Sequence, residues 1–137
     1  MMKRKSGMIV NISSMAGLVP VPVRTMYSSS KFALSGFGKS LRAEVKPFGI
    51  DIIQIYPGYI STNISSNAMT GTGEKFAKKD SNIESGLSVT DCVKQILKAM
   101  KLRKIEYIVG GMFYQFAPVL SLSGLLVDWY CAKKFKS

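Results

Sequence analysis

Tyr27 and Lys31 are the two side chains whose types and spacing best suit proton chemistry in this 137-residue sequence. A free tyrosine titrates near pH ~10, so it is a poor acid or base at neutral pH unless a neighbouring charge stabilises its phenolate. Residues four apart in a helix share a face, so the ammonium of Lys31 would lie beside the Tyr27 ring and favour the phenolate. The pair is therefore a candidate acid and base.

Two serines, Ser13 and Ser14, follow the short apolar run Gly7–Ile12 and precede this pair. The run suits a strand of a parallel sheet, and ligands of such sheets bind at the edge where the strands end. A Ser14 hydroxyl at that edge could hydrogen-bond a substrate carbonyl and hold it near Tyr27. Together the three side chains suit proton transfer to an alkoxide that forms when a hydride arrives from elsewhere.

The composition excludes several other chemistries. The sequence contains no histidine, which removes Ser-His-Asp and Cys-His catalysis and histidine-based metal sites. Its two cysteines, Cys92 and Cys131, are far apart and lie in segments with a helical pattern. We therefore expect neither a disulfide framework nor a metal site, and we expect an intracellular, reducing compartment.

Basic residues outnumber acidic ones by 19 to 8, which gives a net charge of +11. They cluster at residues 3–5, 75–79, 101–104 and 133–136. Such clusters suit an anionic membrane surface, nucleic acid or a phosphorylated ligand, although a solvated basic surface is the simplest explanation. Because no aromatic-interleaved basic repeat, zinc finger or RNA-binding signature is present, we expect no nucleic-acid partner.

The hydrophobic pattern predicts strands at residues 7–12, 50–56 and 104–109, with a helix at 26–46 and a second helix that begins at an N-capping Thr90. Alternation of strands and helices indicates an α/β fold with a parallel sheet. Residues 59–88 are polar and predict a long functional loop that forms a substrate wall and closes over it. An apolar tail, interrupted by Pro118 and Asp128, predicts a helix that covers the sheet or lies on a membrane rather than spanning it.

Three motifs in order carry a family resemblance: Asn11-Ile-Ser-Ser-Met-Ala-Gly17, Tyr27-x-x-x-Lys31-Phe-Ala, and Tyr56-Pro-Gly-Tyr-Ile-Ser-Thr62. They resemble the carboxyl-terminal half of a short-chain dehydrogenase/reductase. The resemblance implies a Rossmann-type, doubly wound parallel sheet. It also implies an oxidoreductase that uses NAD or NADP to interconvert a carbonyl and a secondary alcohol, on a hydrophobic or lipid-like substrate.

The resemblance assigns roles to individual residues. Tyr27 would be the proton acceptor and donor, Lys31 would stabilise its phenolate and hydrogen-bond the nicotinamide ribose, and Ser14 would orient the substrate. The residues that would bind the cofactor in addition to Tyr27 and Lys31 follow the second strand: Pro57, Gly58, Ile60 and Thr62.

Two further motifs of this family are absent from the sequence: the Gly-x-x-x-Gly-x-Gly turn that receives the pyrophosphate, and the later Asn-Asn-Ala-Gly. We therefore expect residues 1–137 to form one partial domain, with a catalytic half at 1–111, an apolar and basic helix at 112–137, and no amino-terminal half. The first strand would then have an unpaired apolar edge. The chain by itself would bind the cofactor weakly or not at all.

A second interpretation remains open. The chain could act as a non-catalytic fragment that forms homo-oligomers through the helix at 27–46 or associates with a membrane surface through its basic tail. Under either interpretation, the family resemblance implies a location at the endoplasmic reticulum or peroxisomal membrane.

Overall fold

Three parallel strands form the centre of the fold. The computed structural model describes residues 1–64, 67, 73–74 and 81–111. Within these, strands β1 (Gly7–Ile12), β2 (Ile50–Pro57) and β3 (Glu106–Val109) lie side by side in that order. β1 pairs with β2 from Gly7↔Ile50 to Ile12↔Ile55, and β2 pairs with β3 from Gln54↔Glu106 to Pro57↔Val109. The predicted α/β fold with about three parallel strands is confirmed.

Helices connect the strands and cover both faces of the sheet. Helix α1 (Thr25–Val45) joins β1 to β2, and helices α2 (Ser81–Glu84) and α3 (Val89–Lys101) lie between β2 and β3. α1 ends at the turn Lys46–Phe48, where Gly49 adopts a left-handed conformation with φ 65° and redirects the chain into β2. α1 and α3 pack on opposite faces, as a doubly wound sheet requires.

The face of the sheet that α3 covers is apolar. Ile53 and Ile55 of β2 pack there with Cys92 and Ala99 of α3 and with Val109 of β3. All five side chains are buried. The β-branched residues among them, Ile53, Ile55 and Val109, are typical of strands in a sheet that is covered on both faces. Burial of this apolar surface holds α3 against the sheet.

The face that α1 covers changes from apolar to polar along β2. Ile50 and Ile52 pack against Val45, but Gln54 on the same face is completely buried. Its Nε2 donates hydrogen bonds of 3.0 Å to the carbonyl oxygens of both Leu34 and Ser35 in α1. A buried amide is costly unless it is paired, so these bonds offset part of the cost of burying Gln54, whose Oε1 has no hydrogen-bond partner among the described residues.

Two predicted boundaries are wrong by a few residues. α3 is capped by Ser88, whose Oγ accepts a 3.1 Å bond from the backbone N–H of Asp91, so Thr90 already lies inside the helix. β3 begins at Glu106 rather than at residue 104. Arg103 adopts φ 49° and Lys104 donates its N–H to the Ala99 carbonyl, so residues 102–104 form the turn that follows the end of α3 at Lys101.

The segment predicted as a long loop contains ordered structure where it is described. Helix α2 lies within it, and Ile60 forms a parallel bridge with Leu87. The predicted helix at 112–137, with Cys131 and the terminal lysines, lies outside the described residues, as does the basic cluster at 75–79. In the part of the chain that is described, β1 has a strand partner only in β2, and no helix is long and apolar enough to cross a membrane.

Two glycines of α1 provide a test of this packing. At Gly38 an added Cβ would lie 2.6 Å from Asn11 Nδ2 and would also meet the Gln54 amide, whereas at Gly36 it would meet nothing within 4 Å. We expect Gly38→Ala to lower the free energy of unfolding by about 1 to 3 kcal/mol through overpacking. Gly36→Ala should raise it by about 0.5 to 1 kcal/mol, because alanine favours a helix.

Chemical denaturation of the two variants measures both effects with the same substitution in the same helix. A Gly38→Ala protein as stable as Gly36→Ala would contradict the close approach of α1 to Gln54.

Candidate active site

The predicted site residues gather at the carboxyl edge of the sheet, where β1 and β2 end. The last rung of their ladder is the 2.8 Å hydrogen bond from the Ser13 N–H to the Ile55 carbonyl. Continuing this register by two residues beyond Ile12↔Ile55 places Ser14 level with Pro57. Because the strands are parallel, the serine after β1 and the Pro57-Gly58 turn after β2 share one edge.

Tyr27 and Lys31 lie together in the first turns of α1. The Lys31 Nζ is 5.6 Å from the centroid of the Tyr27 ring, and it donates a 3.4 Å hydrogen bond to the Ile12 carbonyl at the end of β1. The Tyr27 side chain is 44% exposed, so its ring lies at the surface of the edge. Lys31 therefore connects the tyrosine to the strand that carries the serines.

The start of α1 is anchored by Ser28. This residue is buried, its N–H donates to the Arg24 carbonyl at 2.8 Å, and its Oγ accepts a 3.2 Å bond from the Val21 N–H. These bonds fix the loop before α1 to the first turn of the helix. Tyr27, one residue earlier, is thereby held at a defined place on the edge.

Two buried hydroxyls fix the backbone at Lys31. The Oγ atoms of Ser13 and Ser35 lie 3.1 Å and 2.9 Å from the Lys31 carbonyl oxygen and 3.4 Å from each other. The Ser35 Oγ is also 3.2 Å from the Gly17 carbonyl, and a Cβ on Gly17 would lie 2.7 Å from the Lys31 oxygen. The segment after β1 thus packs directly on α1, with no space for a side chain at Gly17.

Ser14 has a different environment from Ser13. Ser13 is only 4% exposed, and its hydroxyl contacts α1. Ser14 is half-buried, and its Oγ accepts a 3.2 Å bond from the Ala16 N–H, which caps the short 3₁₀ turn Met15–Gly17. Accepting that bond leaves the hydroxyl proton of Ser14 able to donate.

The segment after β2 is positioned through its backbone. The Gly58 N–H donates to the Val109 carbonyl at 2.9 Å. Beyond it, the Ser61 N–H donates to the Leu87 carbonyl and the Leu87 N–H to the Tyr59 carbonyl, both at 2.9 Å. Neither bond uses the N–H or C=O of Ile60 itself, so both groups can serve a ligand.

Thr62 is the predicted site residue that the structure fixes least. It is exposed, and no hydrogen bond from its side chain to another described residue holds it. Tyr27, Lys31, Ser14, Pro57 and Gly58 lie at the edge itself. Thr62 follows the bridge between Ile60 and Leu87, two residues further along the chain than Ile60.

Two other reactive groups do not take part at this edge. Tyr56 is completely buried, and burial raises the pKa of its phenol above the ordinary value of 10.0. Burial likewise raises the pKa of the Cys92 thiol. Both groups are buried, whereas the Tyr27 ring is exposed at the edge. Among the described residues no three His, Cys, Asp or Glu side chains are grouped to hold a metal ion.

Sequence reasoning indicated close packing around Gly36-Phe-Gly38 but missed Ser35 and Gln54, which support the site from behind. Ser35 and Gly38 are small residues three apart in α1, and Gln54 is a polar residue within an otherwise apolar strand. A polar residue at such a position in a strand needs a partner on the covering helix. Together with the small residues of α1, that requirement was a signal in the sequence for the contact.

Comparison with known proteins shows the family to which the chain belongs. The family model for short chain dehydrogenases matches residues 1–73, just over half of the chain. The chain belongs to the short-chain dehydrogenase family. The predicted resemblance to this family is thereby confirmed, and the family is one of oxidoreductases.

Individual relatives extend the match along the chain. Dehydrogenase/reductase SDR family member 7B of Xenopus tropicalis is 40% identical over 112 residues, which cover 82% of this chain and 36% of the relative. Dehydrogenase/reductase SDR family protein 7-like of Drosophila melanogaster is 38% identical over 135 residues, 98% of this chain and 41% of the relative. The chain therefore spans roughly a third of the length of the curated relatives that it matches.

Solved structures share the fold. A short chain dehydrogenase from Burkholderia cenocepacia in complex with NADP superposes with a TM-score of 0.68 at 23% identity, over 96% of this chain and 48% of that one. A short chain dehydrogenase/reductase from Burkholderia phymatum in complex with NAD has a TM-score of 0.70 at 19% identity, over 88% and 49%. The three strands and their helices are thus a Rossmann-like α/β unit.

Gly86 provides a test of the segment after β2. An added Cβ would lie 2.7 Å from the carbonyl carbon and oxygen of Tyr59 and 2.9 Å from the Ile60 nitrogen. We expect Gly86→Ala to break the bridge between Ile60 and Leu87. Amide hydrogen exchange of Ser61 and Leu87 should become faster by roughly tenfold or more, since their hydrogen bonds open locally.

Gly111→Ala is the matched control, because a Cβ there meets nothing within 4 Å. Exchange at Ser61 and Leu87 that is unchanged in Gly86→Ala would show that the bridge does not depend on the close contact.

Proposed function

We propose that this chain supplies the proton-transfer half of an NAD- or NADP-dependent oxidoreductase that interconverts a carbonyl and a secondary alcohol. The observation that carries the proposal is the position of Lys31. Its ammonium lies 5.6 Å from the Tyr27 ring and 3.4 Å from the Ile12 carbonyl, at the edge that also carries Ser14 and the Pro57-Gly58 turn. Membership of the short-chain dehydrogenase family supports the same reaction.

Tyr27 is the proton donor and acceptor in this proposal. A phenol at the surface of the edge can reach a substrate oxygen, and the nearby positive charge of Lys31 stabilises the phenolate that remains after proton donation. The same ammonium can hydrogen-bond a ribose hydroxyl. The serines that hold the Lys31 carbonyl keep this geometry constant from one turnover to the next.

Ser14 orients the substrate. Its hydroxyl is partly exposed at the edge and retains its proton for donation, whereas the Ser13 hydroxyl is occupied in the contact with α1. A hydrogen bond from Ser14 to the substrate carbonyl would hold that carbonyl beside Tyr27. It would also support the negative charge that develops on the oxygen during reduction.

The segment after β2 suits the nicotinamide end of the cofactor. A bound nicotinamide dinucleotide supplies or accepts the hydride. Pro57 and Gly58 shape the backbone at the edge, and Ile60 presents a main-chain N–H and C=O that its bridge does not use, which fits a carboxamide. Thr62 adds a hydroxyl beyond it. The complexes of the two Burkholderia structures with NADP and with NAD support this class of cofactor without choosing between the two.

The proposed substrate is a small carbonyl or alcohol compound of hydrophobic or lipid-like character. This substrate class rests on the resemblance of the motifs. Ile64, which is 66% exposed a short distance after Thr62, adds apolar surface to the segment that would line the substrate.

Replacement of the tyrosine tests the assigned chemistry. In an active protein that contains this chain, Tyr27→Phe should lower kcat by roughly a hundredfold to ten-thousandfold, because it removes the group that transfers the proton. The dissociation constant of the cofactor should change little. Steady-state kinetics and fluorescence titration with NADH and NADPH measure the two quantities separately.

Tyr107→Phe removes a phenolic hydroxyl from β3 and is the matched control. Turnover near the normal rate in Tyr27→Phe, with Tyr107→Phe equally active, would contradict the role of Tyr27.

A non-catalytic role is the second candidate, and one feature favours it. Phe32 and Phe37 of α1 are 43% and 59% exposed, an apolar surface suited to another subunit. A fragment with this surface could form homo-oligomers through the helix at 27–46 or associate with a membrane surface. In this role the edge residues would have no turnover to perform.

Cofactor titration of the 137-residue chain tests whether this chain can bind the dinucleotide by itself. Its sequence lacks a glycine-rich turn between a strand and a helix to receive a pyrophosphate. We therefore expect isothermal titration calorimetry with NADH or NADPH to show no binding or only weak binding. Micromolar affinity would contradict this expectation and would assign a complete cofactor site to the chain.

A further inference from the structure

The edge of the sheet opposite the candidate active site is strongly basic. Because the strands are parallel, the segments that enter all three of them meet at this amino edge. The segment before β1 contacts the segment before β2 at the Lys5 carbonyl and Gly49, and Arg103 before β3 pairs with Asp51 in β2. We define the basic edge as the following residues: Lys3, Arg4, Lys5, Lys46, Lys101, Arg103 and Lys104.

Little negative charge opposes these residues. Asp51 pairs with Arg103, Glu106 at the start of β3 pairs with Lys39 and Arg42 of α1, and Glu44 lies near the end of α1. Among the described residues no carboxylate forms an ion pair with Lys3, Lys5, Lys46, Lys101 or Lys104. The basic edge therefore carries a net positive charge on one side of the molecule.

Exposed apolar side chains interrupt this charge. Leu102 and Ile105 are 54% and 57% exposed, and they flank Arg103 and Lys104 in the turn between α3 and β3. The turn is hydrogen-bonded: the Arg103 N–H donates to the Met100 carbonyl and the Lys104 N–H to the Ala99 carbonyl, both at 3.0 Å. This pattern ends a helix in a defined conformation, so both apolar side chains are presented from a fixed turn.

Helix stability explains only part of the basic edge. Lysines in the last turn of a helix interact favourably with its carbonyl end, which accounts for Lys101 and Lys46. It does not account for Lys3, Lys5 or Lys104, which lie outside α1 and α3. Nor does it explain why Leu102 and Ile105 are exposed on either side of Arg103 and Lys104.

We propose that the basic edge is a docking surface for an anionic lipid bilayer. Lysines and arginines near a bilayer interact with the phosphate and carboxylate groups of acidic lipids, and exposed aliphatic side chains insert at the boundary between headgroups and acyl chains. The turn at residues 102–105 offers both contacts side by side. A nucleic acid would use the charge but would have no use for Leu102 and Ile105, so the combination favours a lipid surface.

Vesicle co-sedimentation of the 137-residue chain tests the proposal. We expect binding to vesicles of equal parts phosphatidylcholine and phosphatidylserine, little binding to phosphatidylcholine alone, and weaker binding as salt is raised. Lys101→Gln with Lys104→Gln should weaken binding roughly tenfold or more. Lys39→Gln with Lys94→Gln removes the same charge from lysines outside the basic edge and should have a smaller effect.

Two leucine variants test the contribution of the apolar side chains to vesicle binding. Leu102→Ser should weaken binding several-fold, whereas Leu97→Ser alters a leucine of similar exposure, 56%, within α3 and should change it little. Circular dichroism of each variant verifies that the fold is retained.

Two results would overturn the proposal. One is vesicle binding that is unchanged in both edge variants but lost in Lys133→Gln with Lys134→Gln and Lys136→Gln, which would assign the interaction to the carboxyl-terminal segment. The other is tighter binding to an RNA duplex than to the anionic vesicles at the same salt concentration, lost in the edge lysine variant and kept in Leu102→Ser.

Discussion

The contact between α1 and the ends of β1 and β2 is the constraint on which the rest of the site depends. It is made by hydroxyls and an amide rather than by apolar side chains: Ser13 and Ser35 meet at the Lys31 carbonyl, and Gln54 donates to two further carbonyls of the helix. Hydrogen bonds have preferred directions, so they fix the rotation and height of a helix more closely than an apolar contact does. The position of Tyr27 on the edge follows from that fixed rotation.

The two faces of the sheet therefore contribute differently: one mainly to stability and the other mainly to a single defined arrangement. On the α3 side, Ile53, Ile55 and their neighbours form a dry cluster whose main effect is stability. On the α1 side, part of that apolar area is replaced by buried polar groups that contribute less net stability but specify one arrangement. The side that carries the candidate chemistry is the side that is specified by polar contacts.

Much of this fold follows from local patterns in the sequence. β1 and α1 lie within one residue of the predicted bounds, because an apolar run and a helical periodicity are strong signals and Pro47 with Gly49 marks the end of α1. The cap of α3 was predicted two residues late, because serine and threonine both favour that position and only the backbone conformation distinguishes Ser88. The start of β3 was predicted two residues early. Arg103 adopts the left-handed conformation after α3, and glycine is the residue that usually marks such a helix end in a sequence.

The candidate site was predictable as a set of residues but not as an arrangement. Spacing alone indicated that Tyr27 and Lys31 share a face, and the structure brings them together. The distinction between Ser13 and Ser14 depends on which hydroxyl is buried against α1, which requires the packing of elements distant in sequence. Two glycines of one helix show the same limit: nothing local reveals that Gly38 touches Gln54 while Gly36 faces open space.

The parallel direction of the strands affects how small molecules would reach the candidate site. At about 3.3 Å per residue, β2 separates the two edges of the sheet by roughly 25 Å. A protein bound to a bilayer through its basic edge would therefore have the edge with the candidate site facing the aqueous phase. Compounds dissolved in water would then exchange freely at the mouth of the site. An oily compound dissolved in that same bilayer would first have to leave it, which makes desorption from the membrane a step that could limit the overall rate.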